Sequence, residues 1–218
     1  MNGVRDPDTL ISAYASGIFP MADSAEDEEV FWVDPKRRGV LPLQRFHLPR
    51  SAVKLLKRGA FEHRVDTAFA EVMAACADRP DGTWINAPIR DGYAALHARG
   101  HAHSVEVWHE GELAGGLYGV RLGAAFFGES MFTRVTGASK LALAHLVARL
   151  RIGGFHMLDT QFLTDHLARF GATEVPRAVY RRALSAALRI QADFDQLTTI
   201  VSAPVSGQDI WQALTQTS

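Results

Sequence analysis

The stretch from Ser104 to Leu122 restricts the chain most. Ser104-Val105-Glu106-Val107-Trp108 alternates with the period-two pattern of a half-buried strand, Glu110-Gly111 supplies a tight turn, and Leu113 to Leu122 continues in extended form. A hairpin of that length commits the chain to an antiparallel sheet with a face to cover. The cover follows in the sequence. After an apolar run, Ala124 to Gly128, and a loop ending at Ser139, a long helix is predicted over Lys140 to Arg151. Ser139 is placed to cap it, Leu141, Leu143, Leu146, Val147 and Leu150 are its apolar residues, and Arg149 and Arg151 complement its C-terminal dipole. The fold class expected is therefore α+β.

The remaining pattern divides the chain. Residues 1–48 are rich in proline, hold one helical run (Thr9 to Ser16), and read as a small loop-rich N-terminal domain. Residues 49–195 read as the main domain, with helices over Ser51 to Gly59, Thr67 to Ala77 and Ala87 to Arg99. They continue with a short strand from Phe155 to Thr160, a helix from about Gln161 to Phe170, and a last helix opening at Val175-Pro176-Arg177. Residues 196–218 carry one charge, Asp209, and give no sign of a role. No run of 18 apolar residues would span a membrane, Met1 to Leu10 lacks the pattern of a signal peptide, and one unpaired cysteine suits a reducing cytoplasm. Phe69, Val72, Met73 and Cys76 share one helical face, which makes that thiol a core residue.

The formal net charge of −1 argues against a polyanionic partner until it is read by segment. Residues 1–35 carry eight acids against one base, a balance of −7, and residues 36–64 carry nine bases against one acid, a balance of +8. Either these segments fold onto each other or the basic one is a face for phosphates. Arg50, Lys54, Lys57 and Arg58 fall at i, i+4, i+7 and i+8, a basic stripe along one helix.

Three further signals carry chemistry. Glu129, between Phe126-Phe127-Gly128 and Ser130-Met131-Phe132, is a carboxylate among apolar neighbours, suited to hold an ammonium group; a structural salt bridge is the alternative. Asp159 and Gln161, two apart at a strand end, point the same way, so the carboxylate is expected to orient the amide unless both merely cap. Trp32, in Phe31-Trp32, and Trp84 lie in loop-like contexts and offer stacking platforms for bases. His97, His101 and His103 straddle the Gly100 break with no cysteine or carboxylate cluster, so no metal is expected. Dinucleotide, P-loop and nucleophile-elbow motifs are absent.

These residues closely resemble the bacterial leucyl/phenylalanyl-tRNA–protein transferases. The likeness runs from about residue 10 to 184, through Ala13-Tyr14-Ala15-Ser16-Gly17-Ile18-Phe19-Pro20, Thr83-Trp84-Ile85, His103-Ser104-Val105-Glu106-Val107-Trp108, Gly128-Glu129-Ser130-Met131-Phe132 and Leu158-Asp159-Thr160-Gln161. The resemblance implies an aminoacyltransferase of the leucyltransferase type. Its reaction would move Leu, Phe or Met from tRNA to the N-terminal Arg or Lys of a protein, marking it for N-degron proteolysis by a Clp-type protease. It implies a mixed sheet of the acetyltransferase (GNAT) type flanked by helices and preceded by a small domain, no cofactor, and a cytoplasmic monomer. By motif match, Trp32 and Trp84 would hold the terminal adenosine, Glu129 the aminoacyl amine, and Leu117, Phe126, Leu143, Leu146 and Leu150 the amino-acid side chain. Asp159 and Gln161 would serve transfer, and the stripe of Arg50, Lys54, Lys57 and Arg58 the acceptor stem. The sequence departs from the family where Phe31-Trp32-Val33-Asp34 replaces paired aromatics with Ser-Pro, and where Leu146 and Leu150 stand in place of aromatics. Two other readings stay open: an acetyl-CoA-dependent acetyltransferase using Arg134 to Ser139 as a pyrophosphate loop, and a non-enzymatic RNA-binding module.

Overall fold

The long hairpin forms the middle of the sheet, and its glycines decide what lies on it. The computed structural model describes residues 3–202 and 204–216. In chain order the elements are α1 (Pro7–Ala15), β1 (Phe19–Met21), β2 (Phe31–Val33), β3 (Arg37–Val40), α2 (Arg50–Arg58), β4 (Glu62–Val65), α3 (Phe69–Ala77) and α4 (Ala87–Ala98). They continue as β5 (Ala102–His109), β6 (Glu112–Leu122), β7 (Ala125–Thr133), α5 (Ala138–Ile152), β8 (Met157–Gln161), α6 (Asp165–Ala168), β9 (Thr173–Pro176), α7 (Arg177–Ala187), α8 (Gln196–Val201) and α9 (Gly207–Thr215). Seven strands form a mixed sheet in the order β4-β5-β6-β7-β8-β3-β9, in which only β7 and β8 run parallel; β1 and β2 pair separately.

Alternate side chains of the strands feed two cores, one on each face. Val105, Leu117 and Phe126 pack with α2, α5 and the C-terminal segment; Tyr118, Val120 and Phe127 pack with α1, α3, α4 and α7. Gly115 lets α5 sit directly on the sheet, since a Cβ there would lie 2.6 Å from the Ala138 Cβ. Glu106, fully buried in β5, accepts from the backbone N–H of Thr67 and Ala68, from Ser104 Oγ and from Trp108 Nε1, so it ties β5 to the start of α3. The stretch His103 to Trp108 thus contains a structural anchor.

Several expectations are corrected. β3, inside the segment read as a loop-rich unit of residues 1–48, enters the main sheet between β8 and β9, drawn there by a buried ion pair described below. Ser139 does not cap α5; Gly137, in left-handed conformation at φ 92°, occupies that position, and Ser139 lies in the first turn. The helix predicted from Gln161 shrinks to α6, because Gln161 ends β8 and Thr164 Oγ1 accepts from Leu167 N as the cap. α7 is not the last helix. α8 and α9 follow, and α9 packs against α5 and α2 with Asp209 and Ser206 forming a capping box.

The tail packs tightly on α2 at Gly207, where a Cβ would lie 2.2 Å from the Leu56 carbonyl oxygen. Gly207→Ala is expected to push α9 off α2 and lower stability by about 1–3 kcal/mol, read as a lower urea midpoint.

Candidate active site

β7 and β8 pair at only three positions, ending at Phe127 opposite Asp159, while β7 continues to Thr133 against β6. Beyond that point the strands part, and a cleft of about 1230 Å³ opens with Glu129 on one lip and Thr160, Gln161 and Phe162 on the other. Glu129 is aimed by a bulge. Tyr118 faces Ser130 and Gly119 faces Gly128 across β6 and β7, which leaves Glu129 as the extra residue.

Among the described residues Glu129 has no cationic partner, so the salt-bridge alternative does not hold. Two tyrosines hold it instead. Tyr14 Oη from α1 donates to Oε1 at 2.7 Å and Tyr93 Oη from α4 donates to Oε2 at 2.8 Å, while the two hydroxyls lie 2.5 Å apart. Burial pushes the Glu129 pKa up to about 7 against the lowering effect of both tyrosines. In the sequence neither tyrosine carries a role of its own: Tyr14 stands only inside a stretch that resembles the family. The signal that they serve the site is that a buried phenol needs a hydrogen-bond partner.

Asp159 is fully buried at the end of β8. Its carboxylate takes Arg38 Nε at 2.9 Å and Nη2 at 2.7 Å, Tyr180 Oη at 2.6 Å, and the Gln161 backbone N–H at 2.8 Å. It therefore holds the backbone of Gln161, not its amide as expected. That bond fixes Gln161 at φ 57°, a strained conformation for a non-glycine residue, and leaves its buried side-chain Nε2 without a partner in the cleft wall. Arg38, counted in the sequence among the bases of a phosphate face, is 1% exposed, donates to the Gly17 carbonyl and lies between the rings of Phe19 and Tyr180.

Trp84 lines the cleft, on a loop set by Asn86, which caps α4 and donates to the Asp27 carbonyl. Trp32 does not: alternation along β2 turns Phe31 into the cleft and Trp32 to a separate pocket beside Glu28 and Pro88. Of the five expected pocket residues, Leu117, Leu143 and Leu146 line the cleft, joined by Leu158 and the buried Tyr118. Phe126 and Leu150 lie behind it in the core, where Phe126 stacks on Phe194. Arg50, Lys54, Lys57 and Arg58 are exposed on α2 and form no ion pair among the described residues; Lys57 Nζ sits 4.5 Å over the Trp211 ring. Of the acids in residues 1–35, Asp8 pairs with Arg99 and Asp34 with Arg177 and Arg181, and among the described residues none pairs with a base of 36–64, so the two charged segments do not neutralise each other. His97 Nδ1 is hydrogen-bonded to the Ala102 carbonyl and His103 Nδ1 to Asp66.

The fold has a counterpart among solved structures. A solved structure titled "Crystal structure of FemX" superposes with a TM-score of 0.52 at 13% identity, covering 78% of this chain and 66% of that one, a likeness of fold. The sequence pattern described as leucyl/phenylalanyl-tRNA protein transferase matches residues 40–185, and that of its N-terminal domain matches residues 5–36. A leucyl/phenylalanyl-tRNA–protein transferase of Ruegeria pomeroyi is 57% identical over 97% of this chain and 98% of its own length. One of Caulobacter vibrioides is 56% identical over 97% of each. The chain belongs to the leucyl/phenylalanyl-tRNA–protein transferase family.

Two outcomes test this geometry. Arg38→Met strands the Asp159 charge in the core and should cost about 3–5 kcal/mol in urea unfolding, with much of the loss recovered in Arg38→Met/Asp159→Leu. Because the folded pKa of Glu129 is raised, the stability tied to its protonation is complete below pH 4.5 and is lost as pH rises through about 7. Glu129→Gln should therefore melt above wild type at pH 8, with the gap closing toward pH 5.

Proposed function

We propose that this enzyme transfers Leu, and also Phe and Met, from aminoacyl-tRNA to the N-terminal Arg or Lys of acceptor proteins. The observation that supports it best is the meeting of Glu129, Trp84 and Gln161 on one cleft in a chain of this family. The fold assigned to it is of the acetyltransferase (GNAT) type. It acts as a cytoplasmic monomer without a cofactor, and among the described residues no helix is long and apolar enough to cross a membrane.

An aminoacyl ester needs little activation, and an attacking α-amine of pKa about 7.7–8.0 is partly neutral at pH 7. The enzyme's task is chiefly to align amine and carbonyl. Trp84, with Phe31 rather than Trp32 beside the cleft, stacks on the terminal adenosine. The aminoacyl ammonium lies against Glu129; its charge favours the carboxylate over the neutral carboxyl. Leu117, Leu143 and Leu146 receive the side chain, with Phe126 and Leu150 setting the pocket floor from behind. In such an apolar pocket a difference of one methylene is worth only about 1–3 kcal/mol, so it accepts several apolar residues.

Gln161 is far too weak a base to keep a proton at neutral pH; its amide orients the attacking amine. Asp159 is a positioning residue. With four donors on its carboxylate it has no free lone pair facing the amine, so the proton passes to the departing tRNA hydroxyl. The stripe of Arg50, Lys54, Lys57 and Arg58 receives the acceptor stem.

The alternatives are disfavoured. A pyrophosphate at Arg134 to Ser139 would have to displace Leu55, whose side chain lies against Gly137. A passive RNA-binding module would leave Glu129 and Gln161 without work. With labelled Leu-tRNA and a peptide beginning with Arg, label is expected in the peptide and should vanish after ribonuclease pretreatment of the donor. Label arriving only from acetyl-CoA would refute the assignment.

A further inference from the structure

The two rims of the cleft carry opposite charge. On one, Asp23, Glu26, Asp78 and Asp81 are exposed and make no ion pair among the described residues; Arg79, beside them, donates to Ser130 Oγ and the Met131 carbonyl. The other rim includes the first turn of α5, with Lys140, and α6, with His166 and, at its C-terminal cap, Arg169; the charges of Lys140 and Arg169 both act on His166. His166 lines the cleft with Ser139 and Thr164, its ring edge-on to Phe170 at 5.1 Å. Its pKa is lowered by partial burial and by the charges of Lys140 and Arg169. Among the described residues none of the three forms an ion pair, with Asp165 of α6 or with any other acid.

This basic rim is not isolated. Gly171, two residues after Arg169, packs against the Arg45 backbone, where a Cβ would lie 2.7 Å from its carbonyl oxygen, and His47 N donates to the Phe170 carbonyl at 3.0 Å. The exposed Arg45 leads to Arg50 at the start of α2, while Leu55 of α2 touches Gly137 just before α5. Contacts of the backbone and of Leu55 thus join the segments that carry Lys140, Arg169 and Arg45 to the helix that bears the stripe.

We propose that Lys140, His166 and Arg169 form a phosphodiester subsite, over which the single-stranded 3′ end of the tRNA leaves the cleft toward α2. The inference rests on the function proposed above. An adenosine held in the cleft is joined through its 5′ phosphate to the rest of the tRNA, so that phosphate must cross a rim. Four carboxylates without ion pairs among the described residues repel it on one side, and two cations, Lys140 and Arg169, attract it on the other, with the His166 imidazole beside them. The acidic rim is left to the acceptor peptide.

The test compares tRNA binding with the binding of aminoacyl-adenosine, which has no phosphodiester. In Lys140→Gln/Arg169→Gln, Leu-tRNA should bind more weakly, and the slope of log K against log salt should fall by about 0.7 per lost contact, or about 1.4 in all. Arg90→Gln/Arg182→Gln, the same loss of charge on exposed positions of α4 and α7, should leave that slope at its wild-type value. An unchanged slope in the first variant, an equal fall in the second, or a weakening for aminoacyl-adenosine as large as that for tRNA would overturn the subsite. Failure of the wild type to transfer Leu would refute the parent function instead, while the binding slopes would still decide the rim.

Discussion

The buried pair of Arg38 and Asp159 is the contact on which the rest of the structure depends. It joins β3 to β8 inside the sheet, reaches the turn after α1 through the Gly17 carbonyl, and takes in α7 through Tyr180. Isolated, either charge would be costly to bury. Together they are enclosed by two aromatic rings and a full set of hydrogen bonds, the condition under which such a pair is tolerated. The same carboxylate then sets the backbone of Gln161. One interaction therefore closes the sheet and shapes one lip of the cleft, so a change there should disturb fold and site together.

The opposite lip is built by different means. Here a bulge turns Glu129 out of the β6–β7 ladder, and two phenols from α1 and α4 hold it without neutralising it. A carboxyl poised near neutrality responds to an incoming cation, whereas a salt-bridged one would not. The two acids thus differ in kind: Asp159, locked by arginine, fixes the backbone of Gln161, whereas Glu129, held by tyrosines, has no cationic partner among the described residues.

Period-two alternation made the central hairpin legible in the sequence, and helical spacing did the same for the amphipathic helices and the basic stripe. Composition failed where a charged residue was buried. Arg38 stands in Lys36-Arg37-Arg38 and looks like surface, and nothing local marks it as the partner of a carboxylate 121 positions away. Likewise Phe31 and Trp32 are adjacent aromatics, and only the pairing of β2 decides which faces the cleft. The tail was opaque because its helices are short and its packing partners, α2 and α5, lie far back in the chain. Glu129 and Gln161 were found by type and context, but the three groups that hold them, Tyr14, Tyr93 and Arg38, are long-range contacts that no spacing rule reaches.

If Asp159 and Arg38 act on transfer by setting Gln161, their effects cannot be independent of it. A double-mutant cycle on the single-turnover transfer rate, combining Arg38→Lys with Gln161→Ala, measures this coupling directly. The account requires Arg38→Lys to slow transfer in the wild-type background and to have little further effect once Gln161 is removed. Additive losses would mean that the buried pair supports the fold alone and that the lip of the cleft is set by something else.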